Sequence, residues 1–104
     1  RQNSVWVGVQ EYASIDELEL KVYPNPAAEK LNIDFEIRES GFVKIEMRDA
    51  LGQKVYSAGS DYYSAGINKM VINFSELKDI QTGLYFLSVI HGRKSAMAKV
   101  VILP

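Results

Sequence analysis

From Leu31 to Ile37 apolar and polar residues change places at every step: Leu31, Ile33, Phe35 and Ile37 alternate with Asn32, Asp34 and Glu36. Period two sends successive side chains to opposite faces, so this stretch predicts a strand with one buried and one wet side. Val43, Ile45 and Met47 repeat the pattern against Lys44, Glu46 and Arg48, after a tight turn at Glu39-Ser40-Gly41. Asp49-Ala50-Leu51-Gly52 reads as a turn in which Gly52 takes the positive φ that side chains resist. The hairpin then returns through residues 53–58 with Val55 inward. Residues 59–66 are polar and turn-rich despite Tyr62 and Tyr63. Met70, Ile72 and Phe74 mark another strand, followed over 75–82 by one short helical turn. Ser75 would cap that turn, with Leu77 and Ile80 tucked under the sheets. Gly83 opens a strand over 84–90 with Tyr85, Leu87 and Val89 on one face. His91-Gly92-Arg93-Lys94 is a hairpin turn, and residues 96–103 form the last strand.

Short strands at intervals of roughly 8–12 residues, with no long amphipathic helix, predict an all-β fold: an immunoglobulin-like antiparallel β-sandwich of about seven strands. The register predicts a core of Leu31, Ile33, Phe35, Val43, Ile45, Met47, Met70, Ile72, Phe74, Tyr85, Leu87, Val89, Val100 and Ile102. Tyr85, at the start of a core strand, occupies the place of a tyrosine corner, its hydroxyl bonding backbone upstream; an ordinary core tyrosine is the alternative. An antibody domain's cysteine pair and core tryptophan are absent, Trp6 lying outside the regular pattern.

The N-terminal part is less regular. Residues 4–9 (SVWVGV) read as a strand and 10–19 as a polar, acidic run, so 1–19 is a linker or the end of a preceding domain, or else supplies an extra strand docked on this one, and the sandwich begins at Leu20. At its entrance stands Val22-Tyr23-Pro24-Asn25-Pro26-Ala27. Pro24 and Pro26 lack an N–H and fix φ, and each pushes its predecessor out of the α region. That makes an extended, stiff joint unsuited to the middle of a sheet, or else a segment that something recognises. The chain opens Arg1-Gln2 without an initiator Met or a signal-peptide pattern, which points to a piece of a longer protein.

Composition narrows the function. With 104 residues, 12 basic and 13 acidic side chains and a net charge of −1, the chain has no basic stripe for nucleic acid. No apolar run approaches the roughly 18 residues of a transmembrane segment. The absence of cysteine excludes thiol catalysis, zinc–thiolate sites and disulfides. His91 has no second ligand or acid near it in sequence, and Asp34 and Glu36 read as solvated carboxylates on a strand's outer face. No phosphate loop, nucleophile elbow or HExxH occurs, so no catalytic residue, metal ligand or cofactor site is expected. Tyr62, Tyr63 and Phe86 could form a sugar platform, against the commoner reading of scattered surface aromatics.

Four pieces taken in order carry more. VYPNPA at 22–27, DALGQKV at 49–55, LKDIQTGLYFLSV at 77–89 and KVVIL at 99–103 together resemble the C-terminal sorting domain of the type IX (Por) secretion system of Bacteroidota. The resemblance covers roughly residues 20–104. By position, Tyr23, Pro24, Asn25 and Pro26 match the entry motif, and Asp49, Gly52 and Val55 the D-x-x-G-x-x-V hairpin. Gly83 and Tyr85 match the G-x-Y element; Lys99, Val100, Val101, Ile102 and Leu103 match the terminal motif. Ile80 stands where the pattern has Leu, and the end is Leu103-Pro104 where many members have Lys or Arg. The resemblance implies a non-enzymatic address label on an N-terminal cargo, passing through the periplasm to the cell surface or beyond. Its implied partners are the outer-membrane translocon and, in many members, a sortase that removes the domain. The motif residues are then the implied signal, with the terminal strand read by strand addition at an exposed edge. An edge-strand dimer stays open, as do a structural or adhesive immunoglobulin-like module and a carbohydrate-binding module.

Overall fold

The computed structural model describes residues 18–103. Its strands are β1 (Leu18–Tyr23), β2 (Lys30–Ile37), β3 (Gly41–Asp49), β4 (Lys54–Tyr63), β5 (Gly66–Asn73), β6 (Gly83–His91) and β7 (Lys94–Ile102). They form two antiparallel sheets, one of three strands in the order β1-β2-β5 and one of four in the order β4-β3-β6-β7. β3–β4 and β6–β7 are hairpins, while the chain changes sheet after β2, β4 and β5. The sandwich is thus immunoglobulin-like, with the fourth strand placed beside the third rather than beside the fifth as in constant-type domains. The strand expected over 4–9 and the linker over 10–17 lie outside the described residues.

Alternation builds the core as expected. Leu31, Ile33, Phe35 and Ile37 of β2 face Val43, Ile45 and Met47 of β3 and Leu87 and Val89 of β6 across the two sheets, all buried. A one-residue slip would send this whole set to solvent, which fixes the register. Of the predicted core only Met70 is partly exposed, because β5 is an edge strand and covers it from one side. Tyr85 forms the corner: its hydroxyl donates to the Gln81 carbonyl at 2.7 Å and accepts from the Gln81 N–H at 3.2 Å.

Four local expectations are corrected. β1 starts at buried Leu18, two residues before the expected boundary, and Leu18, Leu20 and Val22 pair with Ile37, Phe35 and Ile33. The polar stretch 59–66 is no loop: β4 continues to Tyr63, with register shifts against β3 between Ile45 and Glu46 and between Met47 and Arg48. The shifts leave Ala58 and Val55 without direct partners and swing Tyr63 inward, edge-on to Phe35 at 5.0 Å. An edge strand needs main-chain pairing but few apolar side chains, so its polar sequence imitated a loop. The helical turn is a 3-10 turn, Phe74–Glu76, entered from Asn73 without a side-chain cap; Ser75 lies inside it and cannot cap it. Leu77 and Ile80 do pack against the core. His91 ends β6 rather than sitting in the turn, and its Nδ1 lies 3.0 Å from the Phe42 carbonyl oxygen. A side chain at Gly41 would meet its ring at 2.8 Å, which explains a glycine there.

Phe35→Ala and Leu87→Ala should each destabilise the domain by about 2–5 kcal/mol through lost burial and a residual cavity. Urea unfolding measures this. A loss below about 1 kcal/mol would contradict the close packing assigned to these two side chains.

Candidate functional site

β1 runs beside β7 along one open side of the sandwich, and at its end the chain leaves the three-stranded sheet for the edge of the four-stranded one. The expected straight joint is instead a bend over 24–26, with the Tyr23–Pro24 and Asn25–Pro26 peptide bonds cis. The segment is drawn over by bonds to β7. The Asn25 side-chain NH2 donates to the Lys99 carbonyl at 2.9 Å, and its oxygen accepts the Val101 N–H at 3.0 Å. Two residues on, the main chain does the same: the Ala27 N–H donates to the Val101 carbonyl at 2.8 Å, and the Ala27 carbonyl accepts the Leu103 N–H at 2.7 Å. Ala27 and Ile102 therefore form a parallel bridge. The Asn25 carboxamide brackets Val100 as the Ala27 peptide brackets Ile102, so a side chain stands in for a strand residue. Opposite partners for its nitrogen and oxygen fix which is which.

The other motifs join the same structure. Tyr85 of β6 pairs with Val100 of β7 and, on its other side, with Asp49 of β3; Gly83 pairs with Ile102. One row of the sheet thus reads Asp49, Tyr85, Val100, Asn25, and the next reads Gly83, Ile102, Ala27. Pieces separated by most of the chain's length become neighbours at one end of the sandwich. Asp49 holds the hairpin turn: its Oδ1 accepts the N–H groups of Leu51 and Gln53, both at 2.9 Å, and Gly52 turns at φ +88°. Val55 falls at the bulge and is partly buried against the core. Tyr23 anchors the entry from the other sheet, its hydroxyl 3.1 Å from an Asp34 oxygen that also takes Lys69 Nζ at 3.0 Å. Pro24 and Pro26 are exposed, whereas Ala27 is fully buried. Val100 and Ile102 point inward; Lys99, half-buried Val101 and Leu103 face out.

The sequence profile of the family described as secretion system C-terminal sorting domain matches residues 21–103, from just before Val22 to the last residue of the seam. The chain belongs to this family, the sorting domains of type IX secretion. No curated protein matches it. As a sorting domain it is a C-terminal signal for type IX secretion, which implies contact with that machinery and with a cargo chain. The same membership implies export through the outer membrane to the cell surface or extracellular space. Strand addition along 99–103 is not open in this domain, because Asn25 and Ala27 already occupy that edge. The sugar platform is not assembled either: Tyr63 turns into the core, Tyr62 stands edge-on to Phe42 at 5.4 Å, and Phe86 lies half-buried between Arg48 and Lys99. Among the described residues no group of three acidic or histidine side chains is placed to hold a metal ion.

Two positions matter that the sequence did not single out. Ala27 carries half the seam. Glu46, expected on a wet strand face, is 6% exposed on the outside of the four-stranded sheet. Lys44 and Lys54 approach its Oε2 at 3.1 and 3.2 Å, and Arg48 approaches Oε1 at 3.3 Å. Hydrogen bonds from Lys44 and then Lys54 hold the Glu46 carboxyl below its ordinary range, outweighing the opposing effect of burial.

Asn25→Ala should cost about 1–3 kcal/mol, the sum of two hydrogen bonds of about 0.5–1.5 each. Asn25→Asp should also destabilise, since a carboxylate keeps the Val101 bond but faces the Lys99 carbonyl with no proton to offer. Chemical denaturation of both variants checks this, and an Asn25→Asp variant as stable as the parent would show that the Lys99 bond contributes nothing. A second expectation follows from Glu46. Its folded pKa lies below the unfolded one, so its ion-pair stabilisation is fully present above about pH 4.5 and is lost as pH falls through the lowered folded value. Glu46→Gln should flatten the acid side of the stability–pH curve, with the two curves converging at low pH.

Proposed function

We propose that the seam between residues 25–27 and 99–103 is the part of the sorting domain that the export machinery reads. The observation that supports this is the row joining Asn25, Val100, Tyr85 and Asp49, which gathers four scattered motifs at one end of the sandwich. Because the main chain of 99–103 is spent on Asn25 and Ala27, recognition passes through what still faces out: Val101, Leu103, Lys99 and the exposed ring faces of Pro24 and Pro26. In this reading the cargo precedes β1, crosses the periplasm folded and reaches the outer-membrane translocon with the seam as its label. Sortase removal, where it happens, cuts ahead of Leu18, because Leu18 is already locked in the three-stranded sheet opposite Ile37.

The test separates folding from signalling. Val101→Thr with Leu103→Thr keeps β propensity and leaves inward Val100 and Ile102 alone. The melting temperature of this variant should move by only a few degrees, while a fused reporter stays in the periplasm of a type IX host. Normal export of the reporter would remove the terminal residues from the signal. A collapse in melting temperature would assign both side chains to the core instead.

A further inference from the structure

The two outer faces of the sandwich differ in kind. On the three-stranded sheet charges of both signs are present in balance, in the cross-strand rows Lys21–Asp34–Lys69 and Glu19–Glu36. On the four-stranded sheet the rows run Lys44–Ile90–Ser95, Glu46–Ser88–Met97 and Lys54–Arg48–Phe86–Lys99. Four cations there face one carboxylate, in a chain whose net charge is −1. That carboxylate, Glu46, is almost wholly covered by the three cations it binds. It therefore fixes Lys44, Arg48 and Lys54 as a group, while each lysine ammonium keeps donors to spare. The same face also collects exposed apolar side chains: Phe42 and Tyr62 at one end, 62% and 63% exposed, Met97 in the Glu46 row, 53% exposed, and Leu84 at the other end, 36% exposed.

We propose that the outer face of the four-stranded sheet docks on an anionic lipid surface. Positive charge complements the headgroups, and it is spread over a sheet face with apolar and aromatic side chains on both sides of the cations. Lysine ends then sit at headgroup level while Phe42, Tyr62, Leu84 and Met97 meet the region beneath. This contact shares only Lys99 with the seam, and it requires neither the translocon nor a cargo.

The 104-residue chain is mixed with vesicles of phosphatidylglycerol and phosphatidylcholine in equal parts, and with vesicles of phosphatidylcholine alone, and bound protein is sedimented. Each cation in excess is worth about a fivefold gain near an anionic surface, so the three that outnumber Glu46 should favour the anionic vesicles by roughly 100-fold. Binding should fall away at ~1 M salt, where the screening length shrinks to about 3 Å. Ser60→Glu with Ser95→Glu adds two negative charges to exposed positions in the Lys44 row of the same face, leaving Glu46, Arg48 and Lys54 unsubstituted, and should weaken binding roughly 25-fold. Should that variant fail to fold, Lys99→Gln alone should lose about fivefold. Equal binding to both vesicles, or binding indifferent to these substitutions, would overturn the proposal. Binding to soluble polyglutamate but to neither vesicle would also overturn it, pointing to an acidic protein surface. Seam variants that block export yet still sediment with anionic vesicles would leave this contact standing apart from the sorting signal.

Discussion

A strand at the edge of a sheet carries main-chain groups that must find partners, and in this domain the last strand finds them in the first turn of the chain's own entry. The outward groups of Lys99, Val101 and Leu103 are met by the side chain of Asn25 and the main-chain N–H and C=O of Ala27. Asparagine suits the place because a carboxamide holds donor and acceptor at the spacing of a peptide, where aspartate offers only acceptors and aliphatic residues offer nothing. The prolines on either side suit it too. They bring no N–H of their own, so a segment lying outside both sheets leaves fewer donors to satisfy. The diproline stretch is thus a clasp rather than a spacer.

From that clasp the rest of the arrangement follows. It brings β1 alongside β7 and shuts one side of the sandwich, so Leu18 and Ala27 are buried although both stand near a sheet margin. It sets Val100 and Ile102 into the core while Val101 and Leu103 stay outside. It also aligns the motif row, at whose far end Asp49 ties up its own turn. Family membership and geometry agree here, since the matched residues begin and end at the two sides of the seam.

Much of this is legible in the order of residues, for a physical reason. Period-two alternation in β2, β3, β6 and β7 is a local property, and burial of one face leaves a single register, so these strands and nearly all of the core can be read directly. The tyrosine corner is legible too, since its partner Gln81 lies only four residues upstream. Polar β4 is not, because an edge strand held by main-chain pairing with β3 needs no alternation to form. β1 has an alternation of its own in Leu18, Leu20 and Val22, but the acidic run before it and the prolines after it draw the expected boundary inside the strand, to Leu20. Asn25 can be matched to a motif without its chemistry being visible, because its partners lie at the opposite end of the sequence. Glu46 looks solvated for a similar reason: three cations converge on it only once β3 and β4 are paired.

The clasp also imposes an order of assembly. Asn25 and its partners are 74 and 76 residues apart, so the bend after β1 has nothing to hold until β7 has paired with β6. Closing so long a loop is slow compared with forming either hairpin, and its entropy has to be met by contacts already in place. A chain interrupted before Lys99 leaves the entry segment loose and the core short of Val100 and Ile102. The completed clasp is therefore a record, written in hydrogen bonds, that the entry and the last strand of the domain have been brought together.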